Sequence, residues 1–423
     1  MAKASEAHRS GKRKQAERLY RKLVSARPDM GSAWNGLGTL LFENGNLEQA
    51  EYALKRAVGA TQPYPRALYN LALIYHQQGL VKKAFKCLEQ LLEKEPGFAQ
   101  AWNFMGVIYK EQGEFEKAFE CFEKALELLP GFAEAWNNKG TLFDALGKSD
   151  EAVSAYEKAL SIQPNYVSAL FNLAQAFHNS GKLSEASKYY QKVLALEPDH
   201  TQATFLLKAS SCDQKDIPEA PPIQYVKGLF DQCSDKFEEI LVKELDYKTP
   251  GHLLSLALPY LGEGLAILDL GCGTGLAAPL LRPLASYLAG LDASQRMLVQ
   301  AEKKGLYDEL VQADILKEWG LKKKVFDFMF CADVLVYIGA LESVFSNIKK
   351  YLRPRGMLAF SVEESNTSKY ELRASGRYAH SKDYVKASLS SGGFALLESK
   401  QSVLRYDQNE PVQGILFIAR KME

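Results

Sequence analysis

Ala266-Ile267-Leu268-Asp269-Leu270-Gly271-Cys272-Gly273-Thr274-Gly275-Leu276 is a short apolar run that ends in an acid, passes three alternate glycines and enters a helix-like segment. An apolar run of this length bounded by glycine reads as a strand buried on both faces, the centre of a parallel sheet. Glycine at the turn admits φ > 0 and lets a ligand approach with no Cβ in the way. The N–H groups at the start of the following helix point back at that ligand. The G-x-G-x-G spacing after an acid differs from the G-x-G-x-x-G dinucleotide fingerprint.

Outward from this stretch, apolar strands alternate with helical segments, the pattern of a doubly wound parallel sheet. Strands are expected at 266–270, 287–292, 309–312, 326–331 and 356–362, with helices at 294–304 and 341–352. A polar loop and a helix near 382–391 follow. Strands 395–406 and 412–420 then form a hairpin about the turn 407–411. Ligands of such sheets lie beyond the carboxyl ends of the strands, where strand order reverses. Asp269, Asp292 and Asp314-Ile315 close strands one to three, and Asp333-Val334 follow strand four.

The first two hundred residues repeat every 34 positions. Ala33-Trp34, Ala67-Leu68, Ala101-Trp102, Ala135-Trp136 and Ala169-Leu170 fall in register, as do Gly38, Ala72, Gly106, Gly140 and Ala174. Gly45, Gly79, Gly113, Gly147 and Gly181 follow, and Ala50, Ala84, Ala118, Ala152 and Ala186 each stand four residues before a large apolar residue. Small residues suit a close helix crossing, glycine the turn, and the recurring prolines the end of each unit. This resembles the tetratricopeptide repeat. Five full units, a partial one carrying Gly11, Ala16, Tyr20 and Leu23, and a capping helix at 201–211 make an all-α superhelix over residues 1–210.

In related arrays an asparagine ladder on the concave face holds an extended peptide. Asn70, Asn138 and Asn172 share one such position, with Gly36 and Phe104 at two other rungs. They are either a protein- or peptide-binding groove or a solvated polar face. Residues 211–224, with three prolines, read as a semi-rigid linker.

The glycine turn resembles motif I of the S-adenosylmethionine-dependent methyltransferases. With "LDASQRML", "ADVLVYIG" and "SGRYAHS", the whole chain is similar to the bacterial family of predicted methyltransferases that carry tetratricopeptide repeats. The resemblance implies a Rossmann-like, seven-stranded class I sheet over residues 225–423. It also implies S-adenosylmethionine as cofactor, with S-adenosylhomocysteine as product. Asp269 would then meet the methionine amino group. Gly271, Cys272, Gly273 and Gly275 would form the bed, Asp292 would take the ribose hydroxyls, and Asp314 and Ile315 the adenine. Ala293 and Met297 would lie beside the ring, although Met297 reads equally as helix core. Asp333 would face the methyl group.

The segment 225–237 is either a lid, with Phe230-Asp231 and Phe237 over the cofactor and Glu238 in place of a second Asp, or an ordinary amphipathic helix. Lys248 is a candidate for the methionine carboxylate. Candidate bases are Asp333, Tyr337, Glu363, Tyr378 and His380, the last being either a base or a solvated loop histidine. Phe230, Arg377 and Tyr378 would line the acceptor site, with Arg377 suited to an anion. An acceptor that keeps its proton at neutral pH needs a base; one already deprotonated does not.

Formal charges cancel to +1, which argues against a nucleic-acid or membrane partner. Six scattered cysteines with no C-x-x-C pair argue against a zinc site and suit a reducing compartment. The start MAKASEAHRSGKRK has no apolar h-region, and no run reaches roughly 18 apolar residues. A cytoplasmic enzyme is expected. No Asn-Pro-Pro-aromatic motif follows strand four, which disfavours amide or adenine-amine acceptors.

Overall fold

Small residues recur where helices of the first half cross, and the computed structural model shows what each one meets. It describes residues 1–211, 215–234, 237–239, 241, 247–323, 325–407 and 410–423. Parts of three expected features lie outside these residues: 212–214 of the linker, 235–236 of the lid segment and 408–409 of the hairpin turn. Two compact units divide at Ser180/Gly181.

The first unit holds eleven helices, from Ala2–Arg9 to Val167–Asn179. Built onto Gly38, a Cβ would stand 2.6 Å from Leu54 Cγ; on Gly106, 2.7 Å from the Phe122 ring; on Gly140, 2.5 Å from the Tyr156 ring. The residue 16 positions on thus fills the space that a missing side chain leaves. The indoles of Trp34, Trp102 and Trp136 each donate to a proline carbonyl six residues earlier (Pro28, Pro96, Pro130), all at 3.0 Å. The eight-residue helix Ala2–Arg9 stands where the partial repeat's first helix was expected to be mostly missing.

The second unit begins with helices Leu183–Leu196 and Thr201–Ser211. The second of these, expected to cap the array, packs Phe205 on Tyr225 and Tyr378, with centroids 5.1 and 6.4 Å apart. The division therefore falls before the expected boundary at 210. Nor is the linker a bare spacer: Pro218 O accepts from the Tyr378 hydroxyl at 2.7 Å, and Glu219 O from the Gly339 and Ala340 N–H groups.

Nine strands follow among the described residues: β1 Leu265–Leu270, β2 Ala285–Asp292, β3 Glu309–Gln312, β4 Phe326–Cys331, β5 Leu352–Glu364, β6 Tyr370–Leu372, β7 Tyr378–His380, β8 Phe394–Asp407 and β9 Glu410–Lys421. Their order is β3-β2-β1-β4-β5-β7-β6. Strands β1 to β5 run parallel, β9 lies antiparallel on β5, and β8 on β9. All seven expected strands are present. Every residue of β1 is buried, as its unbroken apolar run requires. The polar loop expected after strand five instead contains the short pair β6–β7, with β7 parallel to the last residues of β5. Among the described residues no helix is long and apolar enough to cross a membrane.

The repeat packing predicts a size limit. Gly106→Ala should destabilise the array by about 1–3 kcal/mol, since Phe122 must leave its rotamer. Gly131→Ala, with nothing within 4 Å, should change little. Urea midpoints of the two variants test the contrast, and equal midpoints would disprove it.

Candidate active site

Order reverses between β1 and β4, and the strand ends there open into a cavity of about 210 Å³. Asp269, Gly271, Cys272, Gly273, Asp292, Ala293, Asp314, Ile315, Asp333, Tyr337, Phe230 and Arg377 all line it. Residues more than a hundred positions apart are thus brought together by the parallel topology.

The three turn glycines, expected to serve the ligand alike, have different reasons to be glycine. All three hold positive φ. A Cβ on Gly271 would lie 2.3 Å from Val334, and one on Gly275 would lie 2.9 Å from the Tyr307 ring. Only Gly273 is open, with Phe237 Cε1 as its nearest neighbour at 3.6 Å. The turn is anchored from β2. Asp292 Oδ2 accepts from the Gly273 N–H at 2.9 Å, and Oδ1 from the Ser294 N–H at 2.8 Å. A carboxylate offers about four acceptor sites, so each oxygen retains capacity toward the cavity. Asp314 Oδ1 accepts from the Leu316 N–H at 2.9 Å.

Asp269 is buried, and Tyr307 donates its hydroxyl to Oδ2 at 2.6 Å. Burial pushes this carboxyl up to about 7; the Tyr307 bond opposes the shift and the charge of Asp292 adds to it. Burial raises Asp292 as well, against the N–H groups it accepts.

The cover is the helix Ile223–Cys233 with the turn Phe237–Glu239. Phe230 meets Phe237 and Tyr337 edge-on, with centroids 5.9 and 5.4 Å apart. Ser294 donates to Asp231 at 2.5 Å. Glu238 accepts from Thr274 at 2.7 Å and Lys304 at 2.5 Å. The segment thus supplies Phe230 and Phe237 to the cavity wall.

The far wall is a charged network. Asp333, at φ +55°, accepts from Ser361 Oγ at 2.9 Å and from Arg405 at 3.3 Å. Arg405 also bonds Glu363 Oε1, and Arg373 bonds Glu363 Oε2 at 2.9 Å. Burial raises the Asp333 carboxyl, while Arg405 and Ser361 pull it back.

Several expected positions fall elsewhere. His380 is fully buried in β7 with Nε2 on Gly339 O at 3.1 Å, and burial pushes its imidazole down to about 4. It does not line the cavity, because the segment read as a loop is a strand. Tyr378 is buried the same way, with its hydroxyl spent on Pro218. Met297 is wholly buried and absent from the lining, so its helix-core reading is the one that matches. Lys248 is an exposed residue at the start of the helix Thr249–Ala257. Arg405, Tyr307 and Ser361 were not foreseen.

In the first unit, Asn70 gives its N–H groups to Asn35 and Thr39. Asn138 donates to Asn103 and Asn172 to Asn137, at 3.0 and 2.9 Å. Each rung thus donates to the asparagine one position before the equivalent rung of the preceding repeat, with one N–H left on Asn138 and on Asn172.

A carboxyl that keeps its proton in the folded state makes stability fall as pH rises from about 4 to 7, because the unfolded chain releases that proton first. Asp269→Asn removes this contribution. The variant's stability relative to the parent should therefore rise between about pH 4.5 and 6.5, by up to about 1.4 kcal/mol per pH unit. Urea unfolding across that range checks it, and a flat difference would refute it.

Residues 268–360 match the model of the methyltransferase domain. Residues 97–165 and 131–198 match the tetratricopeptide repeat, and residues 2–130 the middle TPR-like domain of cilia and flagella-associated protein 70. The chain is 33% identical over 108 residues to the sterol 24-C-methyltransferase ERG6B of Gibberella zeae, covering 24% of this chain and 28% of that one. It is 31% identical over 124 residues to the malonyl-[acyl-carrier protein] O-methyltransferase of Enterobacter lignolyticus, covering 29% and 49%. With the ubiquinone biosynthesis O-methyltransferase of Glaesserella parasuis it shares 30% identity over 142 residues, covering 30% and 60%. The match thus spans between about a quarter and three fifths of these relatives' lengths. The chain carries tetratricopeptide repeats followed by a methyltransferase domain.

Proposed function

We propose that the second unit is an S-adenosylmethionine-dependent methyltransferase and that the repeats recruit the protein or peptide that bears its acceptor. The observation that carries this reading is the convergence of an open Gly273, the Asp292 carboxylate and Asp314 on one cavity that continues into an apolar, lidded half.

The residues fit the cofactor. Asp292, its oxygens already oriented by two backbone N–H groups, accepts the ribose hydroxyls. Asp314 takes the adenine amine beside Ile315 and Ala293, and Asp269 faces the amino group. When bound, the cofactor supplies an electrophilic methyl group on a sulfonium. The protein's part is then alignment: the acceptor atom must lie in line with that methyl group. Phe230, Phe237 and Tyr337 exclude water from the approach, and the network around Asp333 fixes the wall that the acceptor rests on. The recruiting role is supported by the N–H groups left on Asn138 and Asn172. A second reading, a small-molecule acceptor with the array as scaffold, is favoured by the apolar lining at Ile223, Val226 and Phe230.

Calorimetry should show S-adenosylhomocysteine binding to the full chain, with Asp292→Ala weakening it by about 10- to 100-fold through loss of hydrogen bonds to a charged group. Unchanged affinity would overturn the site. Methyl-labelled S-adenosylmethionine added to a source-cell lysate should label a protein band, and an Asn138→Ala/Asn172→Ala double variant should lose that band while retaining cofactor binding. Label confined to small molecules and indifferent to the variant would establish the second reading.

A further inference from the structure

We propose that the methyl acceptor is a carboxylate held by Arg377, and that the product is a methyl ester. This inference rests on the methyl-transfer reading above.

Three guanidinium groups converge on Glu363, whose side chain is 2% exposed. Arg373 bonds Oε2 and also holds Glu371 and the Glu364 carbonyl. Arg405 bonds Oε1 and reaches across to Asp333. Arg377 is different. Its Nη1 stands 3.9 Å from Glu363 Oε1, beyond hydrogen-bond distance, and its guanidinium lies 5.8 Å from the centre of the Tyr337 ring. Among the described residues of this cluster it is the arginine with no hydrogen-bonded carboxylate, and it lines the cavity. Arg377 keeps a long ion pair with Glu363, and Tyr337, Glu363 and Asp333 all favour its charge, yet no described carboxylate uses its paired N–H donors. Its planar donor pairs fit a carboxylate, which it can bind through two parallel hydrogen bonds.

Beside the charged Asp333–Arg405 wall, Pro221, Ile223, Val226, Phe230 and Val336 give the cavity an apolar face. The acceptor is therefore an anionic head on an apolar body. The third observation concerns proton removal. The described lining residues include no histidine, lysine or glutamate; of the two tyrosines there, burial raises Tyr247 well above its ordinary range, and Tyr337 packs against Phe230 and Arg377. Asp269, Asp292 and Asp314 lie at the glycine turn and the strand ends, and Asp333 is engaged by Ser361 and Arg405. An amine or alcohol acceptor would need a base in this half, whereas a carboxylate is already deprotonated at neutral pH.

The step balances without one. A lone pair on the carboxylate oxygen forms the new O–CH3 bond while the donor's C–S bond breaks and leaves its electron pair on sulfur. One negative and one positive charge become a neutral ester and a neutral thioether, and no proton is released. Arg377 then faces an uncharged ester, which it holds less tightly than the acid, so product leaves.

Calorimetry on the full chain, with and without saturating S-adenosylhomocysteine, separates this inference from the reading beneath it. The probes are octanoate, 1-octanol and octylamine, which share an apolar tail and differ at the head. In the presence of S-adenosylhomocysteine, octanoate should bind at least about 10-fold more tightly than the other two. Arg377→Gln should abolish that preference and Arg377→Lys restore part of it, with S-adenosylhomocysteine affinity unchanged in both variants as the check on folding. Equal affinity for the three probes, or a preference that survives Arg377→Gln, overturns the carboxylate assignment while leaving the methyltransferase reading intact. Failure of S-adenosylhomocysteine itself to bind overturns both. Labelled product from the lysate should release its label as volatile methanol in mild alkali. Size separation beforehand tells a protein-borne carboxylate from a free acid, and alkali-stable label overturns the proposal.

Discussion

A carboxylate in a protein interior must be matched by cations or lose its charge, and Glu363 is where this chain meets that constraint. Its two oxygens tie together β5, the β6–β7 pair and β8, and through Arg405 they reach Asp333 beyond β4. Such a network adds little net stability, because desolvation offsets the attraction, yet removing one member typically costs about 3–5 kcal/mol. Its effect is positional. It sets one wall of the cavity to within a hydrogen-bond length, and it holds Asp333 in a left-handed backbone conformation that a non-glycine residue adopts only when its surroundings require it.

Much of this architecture is legible in the chain because it is written in local patterns. A 34-residue period survives any uncertainty about single residues, and the spacing of small and large positions corresponds to contacts such as Gly140 against Tyr156. The strands likewise follow from apolar runs, and β3 and β4 begin and end where composition places them. What is not legible is long-range. Arg405 meets Asp333 across 72 residues, and nothing near either position announces the other. The short strands β6 and β7 have three residues each, too few for any alternation to show. His380 and Tyr378 accordingly read as groups of a polar loop within reach of the acceptor, when the edge of the sheet buries both. Met297 lies in a helix whose periodicity alone does not tell a core face from a ligand face.

The glycine turn shows how one motif serves several masters. Two of its glycines answer to neighbouring side chains, Val334 and Tyr307, and one to open space. A sequence pattern records only that all three lack a Cβ. In the repeats, similarly, asparagines recur at one helical position, and each carboxamide bonds the asparagine one position before the equivalent rung of the preceding repeat. Recurrence there reports first on how repeats recognise one another.

Thr274 belongs to the turn on which a ligand would rest, and it also holds Glu238 of the cover. Ser294, whose backbone N–H orients Asp292, holds Asp231 with its hydroxyl. Floor and roof are therefore fastened to the same few residues. A molecule lying on this turn cannot depart along that side until bonds made to its own bed have parted, so tightness of grip and slowness of escape rise together.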